Sequence, residues 1–290
     1  MIWFLLCILS ATGIYVAFKF VDKINTPLIN VIVINYLIAA ILGFLITGSL
    51  PVKEIFDSQW LFTGIILGVL LIVLFFMVGL SSKKAGISIT IVACKMAVVI
   101  PMVFAIIYYN ENIGTIKVIS IILAVLAVVI TVYKKPKKNS GFNNPAIILP
   151  LALFIGMGLE NSLIIFSKEK YVNADMSSVF TASLFSFALI CGLFVVFFKP
   201  SVLRGFLKPK TWLLGSVLGI TNFGSIYFML RALNSNVLAN SVTYGIVNIG
   251  IVSLSVIAGT MFFKEKLSRL NFVGVGLSII TIILLSLADM

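Results

Sequence analysis

The chain has 290 residues, 61% of them hydrophobic and only 10% charged. A soluble domain carries about 25% charged residues, so this composition excludes one. There is no histidine, which excludes imidazole catalysis and His-ligated metal; the net charge of +12 sits beside apolar runs, where membrane orientation and anionic lipid explain it better than nucleic acid.

An apolar run of about 20 residues crosses a bilayer. Ten such runs are read in chain order, near 2–18, 27–48, 60–81, 84–109, 114–133, 146–167, 176–198, 211–232, 236–262 and 270–287. No Lys or Arg precedes the first and no Ala-x-Ala site follows it, so it reads as a span rather than a signal peptide. Asn25-Thr26-Pro27 reads as the start of the second helix, with a capping side chain and Pro in the first turn, and Asp175 as the start of the seventh. Pro101 lies well inside the fourth run and predicts a bend there. Cys7, Cys94 and Cys191 each lie inside an apolar run without CxxC spacing, and read as small buried hydrophobes.

The Lys and Arg residues divide unevenly between the two faces that ten spans create. Lys19, Lys23, Lys83, Lys84 and the cluster Lys134 to Lys138 belong to a face carrying fifteen; Lys53, Lys117, Lys168, Lys170 and Arg231 make five on the face that holds both termini. The positive-inside rule then places both termini outside, in what is expected to be a bacterial inner (plasma) membrane.

The sequence also repeats itself. Trp60-Leu61, Gly64, Gly68 and Phe76-Met77 recur as Trp212-Leu213, Gly215, Gly219 and Phe228-Met229. Ala85 and Tyr109-Asn110-Glu111 recur as Ala239 and Phe263-Lys264-Glu265, and Ser120 and Ala124 correspond to Gly274 and Ser278. Each copy holds five runs, and an odd number forces the second copy to enter the membrane from the opposite side. The expected fold is an all-α membrane protein of ten transmembrane helices, as two inverted five-helix repeats (1–138 and 139–290) around a central cavity.

Pro101-Met102-Val103-Phe104-Ala105 leading to Tyr109-Asn110-Glu111, followed by an apolar span with small residues, resembles the EamA-type half of the drug/metabolite transporter superfamily. The second half, through Phe263-Lys264-Glu265-Lys266-Leu267 and Gly274, is similar to it as well, with Ser255 where that family usually has proline. The resemblance implies a five-plus-five carrier of small organic metabolites with a central cavity.

Two charges lie deep inside runs: Lys95 in the fourth and Glu160 in the sixth. A charge at bilayer depth costs at least ~2.5–3.5 kcal/mol, so such residues face a bundle interior or a cavity. Their depths differ by roughly 4–5 Å at helical rise, so they are placed to pair across the halves or to hold a substrate. Lys95 suits a carboxylate or phosphate; Glu160 suits an amine or a coupling proton. Ser241, Tyr244, Asn248 and Ser255 share one helical face, and Ser88 shares a face with Lys95. Such a polar stripe either bonds neighbouring helices or lines a cavity. Asn222 and Asn161 add polar capacity, and Tyr36 and Tyr227 are aromatic candidates for stacking on a planar ligand. Glu111 and Glu265 read as interfacial partners of adjacent basic residues.

The leading expectation is a secondary active transporter for a small polar metabolite, an amino acid or another carboxylated compound, working by alternating access. No Walker-type loop and no metal-ligand spacing occur, so neither ATP use, a cofactor nor a metal is expected. The expected partners are the small-molecule substrate and membrane lipids, with the chain acting as a monomer or homodimer and not as an enzyme. The alternatives are a membrane sensor or assembly factor, and last an intramembrane enzyme, for which Lys95 and Glu160 are the only deep titratable pair.

Overall fold

The computed structural model describes residues 2–48, 50–109, 114–132, 144–172, 176–198, 202–233, 235 and 240–288. The expectations for Glu111, Asp175, Ala239 and the Lys134 to Lys138 cluster fall outside these residues, as do the side chains of Ser241 and Tyr244. The elements in order are α1 (Ile2–Lys23), α2 (Leu28–Thr47), α3 (Val52–Phe56), α4 (Leu61–Lys84), α5 (Ile87–Met96), α6 (Val99–Tyr109) and α7 (Thr115–Val132). They continue as α8 (Pro145–Tyr171), α9 (Ser177–Phe197), α10 (Leu203–Phe206), α11 (Pro209–Leu233), α12 (Asn240–Ile257), a π-helical turn (Ala258–Phe262) and α13 (Arg269–Ala288). No strand occurs among the described residues.

Eight helical stretches among the described residues are long and apolar enough to cross a membrane, as an integral membrane protein requires. Two further apolar stretches, Ile246–Phe262 and Arg269–Leu285, are shorter. The sequence predicts ten spans; residues 236–239 of the ninth run, and several side chains between 240 and 245, lie outside what the structure describes.

Local chemistry sets several helix ends. Asn144 accepts a bond from the Ala146 amide at 3.0 Å with Pro145 in the first helical position, so α8 has both a side-chain cap and a pre-set φ. At α13, Ser268 and Asn271 cap each other reciprocally: the Asn271 carbonyl oxygen accepts from the Ser268 amide at 2.9 Å, and the Ser268 hydroxyl accepts from the Asn271 amide at 3.2 Å. The start of α2 differs from expectation. Pro27 stands at the cap with no side-chain cap bond, while Asn25 adopts a φ of 54° and closes the end of α1. Asparagine tolerates this left-handed conformation, so Asn25 serves the preceding helix rather than the following one.

Helix α1 packs on α11 and α12, α2 on α11 and α9, α4 on α9 and α8, and α5 on α8 and α12, while α7 packs along α13. Without a hydrophobic driving force between helices in lipid, close backbone approach decides such contacts, and small residues permit it. Gly215 and Gly219 let α11 settle on Ile34 and Ile38 of α2; Gly68 lets α4 meet the backbone of α9 at Phe187 and Ala188; Gly274 meets Thr131 where α13 crosses α7. Ser120, Ala124 and Ser278 are fully buried in the same α7–α13 seam, as their small-residue spacing predicts.

A methyl group at Gly219 would lie 2.7 Å from Ile38 Cβ and 2.8 Å from the Asn35 carbonyl oxygen. Backbone cannot yield as a flexible side chain does, so Gly219→Val should destabilise the purified protein by about 1–3 kcal/mol. Thermal unfolding in detergent reads this directly; an unchanged midpoint would show that α11 and α2 separate freely.

The two ends of the bundle differ in charge. At one end Lys19 pairs with Glu265 at 3.3 Å and Lys83 with Asp22 at 2.6 Å. At the other, the Arg231 guanidinium lies 5.9 Å from the Trp3 ring centre and 5.3 Å from that of Tyr227.

Candidate functional site

The fourth apolar run is not one helix. α5 stops at Met96 and α6 begins at Val99, so the break falls about one turn before Pro101. Proline lacks the amide that would bond the carbonyl four residues back and its ring crowds that carbonyl, here Ala97. The Ala97 carbonyl takes a bond from the Ile100 amide at 3.1 Å instead, a tighter turn. At the position of Pro101 in the second half, Ser255 lies inside α12, which runs unbroken from Asn240 to Ile257. The break therefore follows the proline.

Lys95 is the last residue but one of α5, directly at this break. Lys95 and Cys94 are half-buried, while Ile87 to Ala93, Met96 and Ala97 are buried. Lys95 lies within electrostatic reach of Cys7 on α1, whose thiol donates to the Ser225 carbonyl of α11 at 3.3 Å. Cys94 lies beside Tyr15 of α1. Lys95 and Cys94 of α5 thus stand beside α1, which Cys7 ties to α11.

Glu160 enters from α8, at 6% exposure. Gly156 and Gly158 bring α8 against Leu74 of α4 and Ile100 of α6, which carries the carboxyl group of the next turn inward. Glu160 lies within electrostatic reach of Tyr36 and Cys94. Among the described residues, neither Lys95 nor Glu160 makes a side-chain hydrogen bond or ion pair, with each other or elsewhere. An ammonium and a carboxyl group thus face the bundle interior, each without a fixed partner. Two such groups can receive the carboxylate and the amine of one ligand, or a carboxylate and a proton.

The other candidates separate into distinct places. Tyr36 is fully buried and its hydroxyl donates to the Leu71 carbonyl at 2.8 Å, tying α2 to α4. Asn222 meets Asn35 at 3.2 Å between their side-chain amides, a polar tie between α11 and α2. Tyr227 stacks on Phe223 and accepts from the Arg231 guanidinium at 3.0 Å at the far end of α11. Asn161 is exposed, on a different face of α8 from buried Glu160. Asn248 is half-buried on α12, and Ser255 is fully buried there with no hydrogen-bond partner among the described residues. Ser88 is fully buried and bonds Glu265 at the opposite end of α5 from Lys95. The paired-glutamate expectation also changes: Glu265 pairs with Lys19 of α1, not with its neighbours Lys264 and Lys266.

Three residues of the site are not evident in the sequence. Cys7, Cys94 and Tyr15 read as apolar filler because nothing in their spacing marks them. Only the adjacency of Cys94 to Lys95 carries a signal.

No protein-family model matches the chain. The chain is similar to an uncharacterized protein of Haemophilus influenzae (strain ATCC 51907 / DSM 11121 / KW20 / Rd), with 27% identity over 294 residues. The match covers 97% of this chain and 96% of that protein, so the whole helical unit, not a part of it, is what the two have in common.

Proposed function

We propose that the chain is a secondary active transporter that moves a small polar organic metabolite, an amino acid or another carboxylated compound, by alternating access. The observation that carries this reading is Lys95: a half-buried cation at a helix break in mid-span, with no partner among the described residues. Broken helices beside unpaired polar groups at membrane depth are how carriers build sites near the midplane. Lys95 would hold the anionic group, and Glu160 the amine or a coupling proton.

The ten-span, EamA-like organisation of the drug/metabolite transporter superfamily belongs to the same proposal. The packing supports it. Exchanging α1 with α8, α2 with α9, α4 with α11, α5 with α12 and α7 with α13 turns α1–α11 into α8–α4, α2–α11 into α9–α4, and α1–α12 into α8–α5. It leaves α2–α9 and α7–α13 unchanged. Two halves, 1–138 and 139–290, related by a two-fold axis would pack in this way. With an odd number of spans in each, the halves would be inverted.

A melting screen of purified protein against amino acids and other carboxylated metabolites tests the substrate class. At least one should raise the unfolding temperature in proportion to ln(1 + [L]/Kd); a screen in which only uncharged or cationic compounds stabilise would reject it. Sidedness is tested by thiol labelling. A cysteine placed between Lys134 and Asn144 should resist an impermeant reagent in intact cells, whereas one added after Met290 should react. Reaction of the loop cysteine would put the termini in the cytoplasm.

A further inference from the structure

We infer that Glu265, Lys19 and the first turn of α5 form a latch that closes the Lys-rich end of the bundle and must open during transport. The inference rests on the transport reading above.

The latch begins with a helix that lacks its own cap. The first amides of a helix have no intrahelical partner and carry partial positive charge. At α5 the cap position is Gly86, which has no side chain to supply an acceptor. Glu265, 178 residues away, supplies it: its carboxylate accepts from the Ile87 amide at 2.7 Å. It also accepts from the Ser88 amide at 3.3 Å and the Ser88 hydroxyl at 3.2 Å. Lys19 of α1 pairs with the same carboxylate at 3.3 Å and donates to the Ser82 carbonyl at the end of α4 at 3.0 Å. One carboxyl group thus joins the segment after α12 to α1 and α5, and through Lys19 to α4.

The backbone is shaped around that carboxylate. Gly86 has a φ of 105°, where a side chain would be strained, and a Cβ there would lie 3.0 Å from the Glu265 carboxylate. A Cβ at Gly259 would lie 2.6 Å from Glu265 Oε2 and 2.8 Å from Ser88 Oγ. The Gly259 carbonyl accepts from the Glu265 amide at 2.9 Å, and Lys264 turns the chain through a left-handed φ of 52°. Phe20 of α1 packs edge-on against Phe263 at 5.4 Å beside it.

Its place in the bundle gives the latch its role. From Ile87 to Ala93 every residue of α5 is sealed, and accessibility returns only at Cys94 and Lys95. A buried stretch of α5 thus separates the latch from Lys95, as a gate closed at the Lys-rich end requires. The seal is polar and near the surface, with the Lys19 and Glu265 side chains 18% and 9% exposed. Water can replace each of its bonds on opening, which an apolar plug does not allow.

Two measurements test the inference, and the first does not depend on transport. In a chain whose only thiol is Cys94 (Cys7→Ala, Cys191→Ala), an impermeant thiol reagent applied to the Lys-rich face should react slowly. Adding Glu265→Ala should speed that reaction about tenfold or more, since the closed state loses a charge-assisted, multiply bonded contact. Fast reaction before the change, or the same rate after it, would overturn the latch. The second replaces the latch covalently. With Lys19→Cys and Glu265→Cys in the otherwise native chain, a short reducible bis-thiol linker should stop transport and reductant should restore it, while the same linker leaves the parent chain transporting. A permanent structural staple would leave the linked protein transporting, and that result would overturn the inference even though transport itself is intact.

Discussion

Lys95→Ala should weaken binding of a carboxylated substrate about tenfold or more, the loss of a charge-assisted contact worth roughly 1.5–3 kcal/mol. The side chain has no ion pair among the described residues that the substitution would break, so the loss should appear in affinity rather than in folding. Lys95→Arg should fail as well, because a planar fork does not reproduce a compact ammonium in an enclosed site. The double change Lys95→Met with Glu160→Gln separates two roles. If Lys95 serves only to neutralise Glu160, the double variant binds like the parent; if Lys95 holds the substrate, it remains weak. Titration calorimetry or melting shifts on monodisperse protein give these affinities, and parental affinity in the double variant would remove Lys95 from the site.

Glu160→Gln should abolish accumulation driven by a proton gradient while leaving substrate exchange near its parental rate. The carboxyl group is buried on α8 with no partner among the described residues, and glutamine keeps its size and hydrogen-bonding capacity while losing the titrating proton. The contrast between gradient-driven uptake and exchange in proteoliposomes is the readout. Undiminished gradient-driven accumulation in this variant would take Glu160 out of the coupling.

What the sequence discloses here follows from the price of charge in lipid. Lys95 and Glu160 are conspicuous because an ionisable side chain inside an apolar run is expensive unless it faces protein or water. Pro101 is legible for a similar reason, since a missing amide has local consequences that no packing removes; only the position of the break, at Ala97 and Val98, needed the structure. Glu265 is the opposite case. It stands between Lys264 and Lys266, where any carboxylate at a membrane edge looks like an interfacial partner, and its role depends on an amide 178 residues away. Tyr36 and Asn222 carried the same ambiguity: a polar group in a span must find a partner, but the sequence does not say whether that partner is a ligand or another helix. Here it is the Leu71 carbonyl for one and Asn35 for the other. Asn25 shows the limit at a helix end, where one residue can close the helix before it or open the one after it.

The central claim is that the chain carries a carboxylated metabolite across the membrane and that Lys95 holds it. Counterflow tests this most directly: proteoliposomes loaded with an unlabelled amino acid or other carboxylate are diluted into a trace of the labelled compound. Substrates are taken from those that stabilise the purified protein. Uptake of label should be saturable and transient, should depend on the internal load, and should be lost in Lys95→Ala. Uptake equal to that of protein-free vesicles for every stabilising carboxylate, or undiminished counterflow in Lys95→Ala, would contradict it.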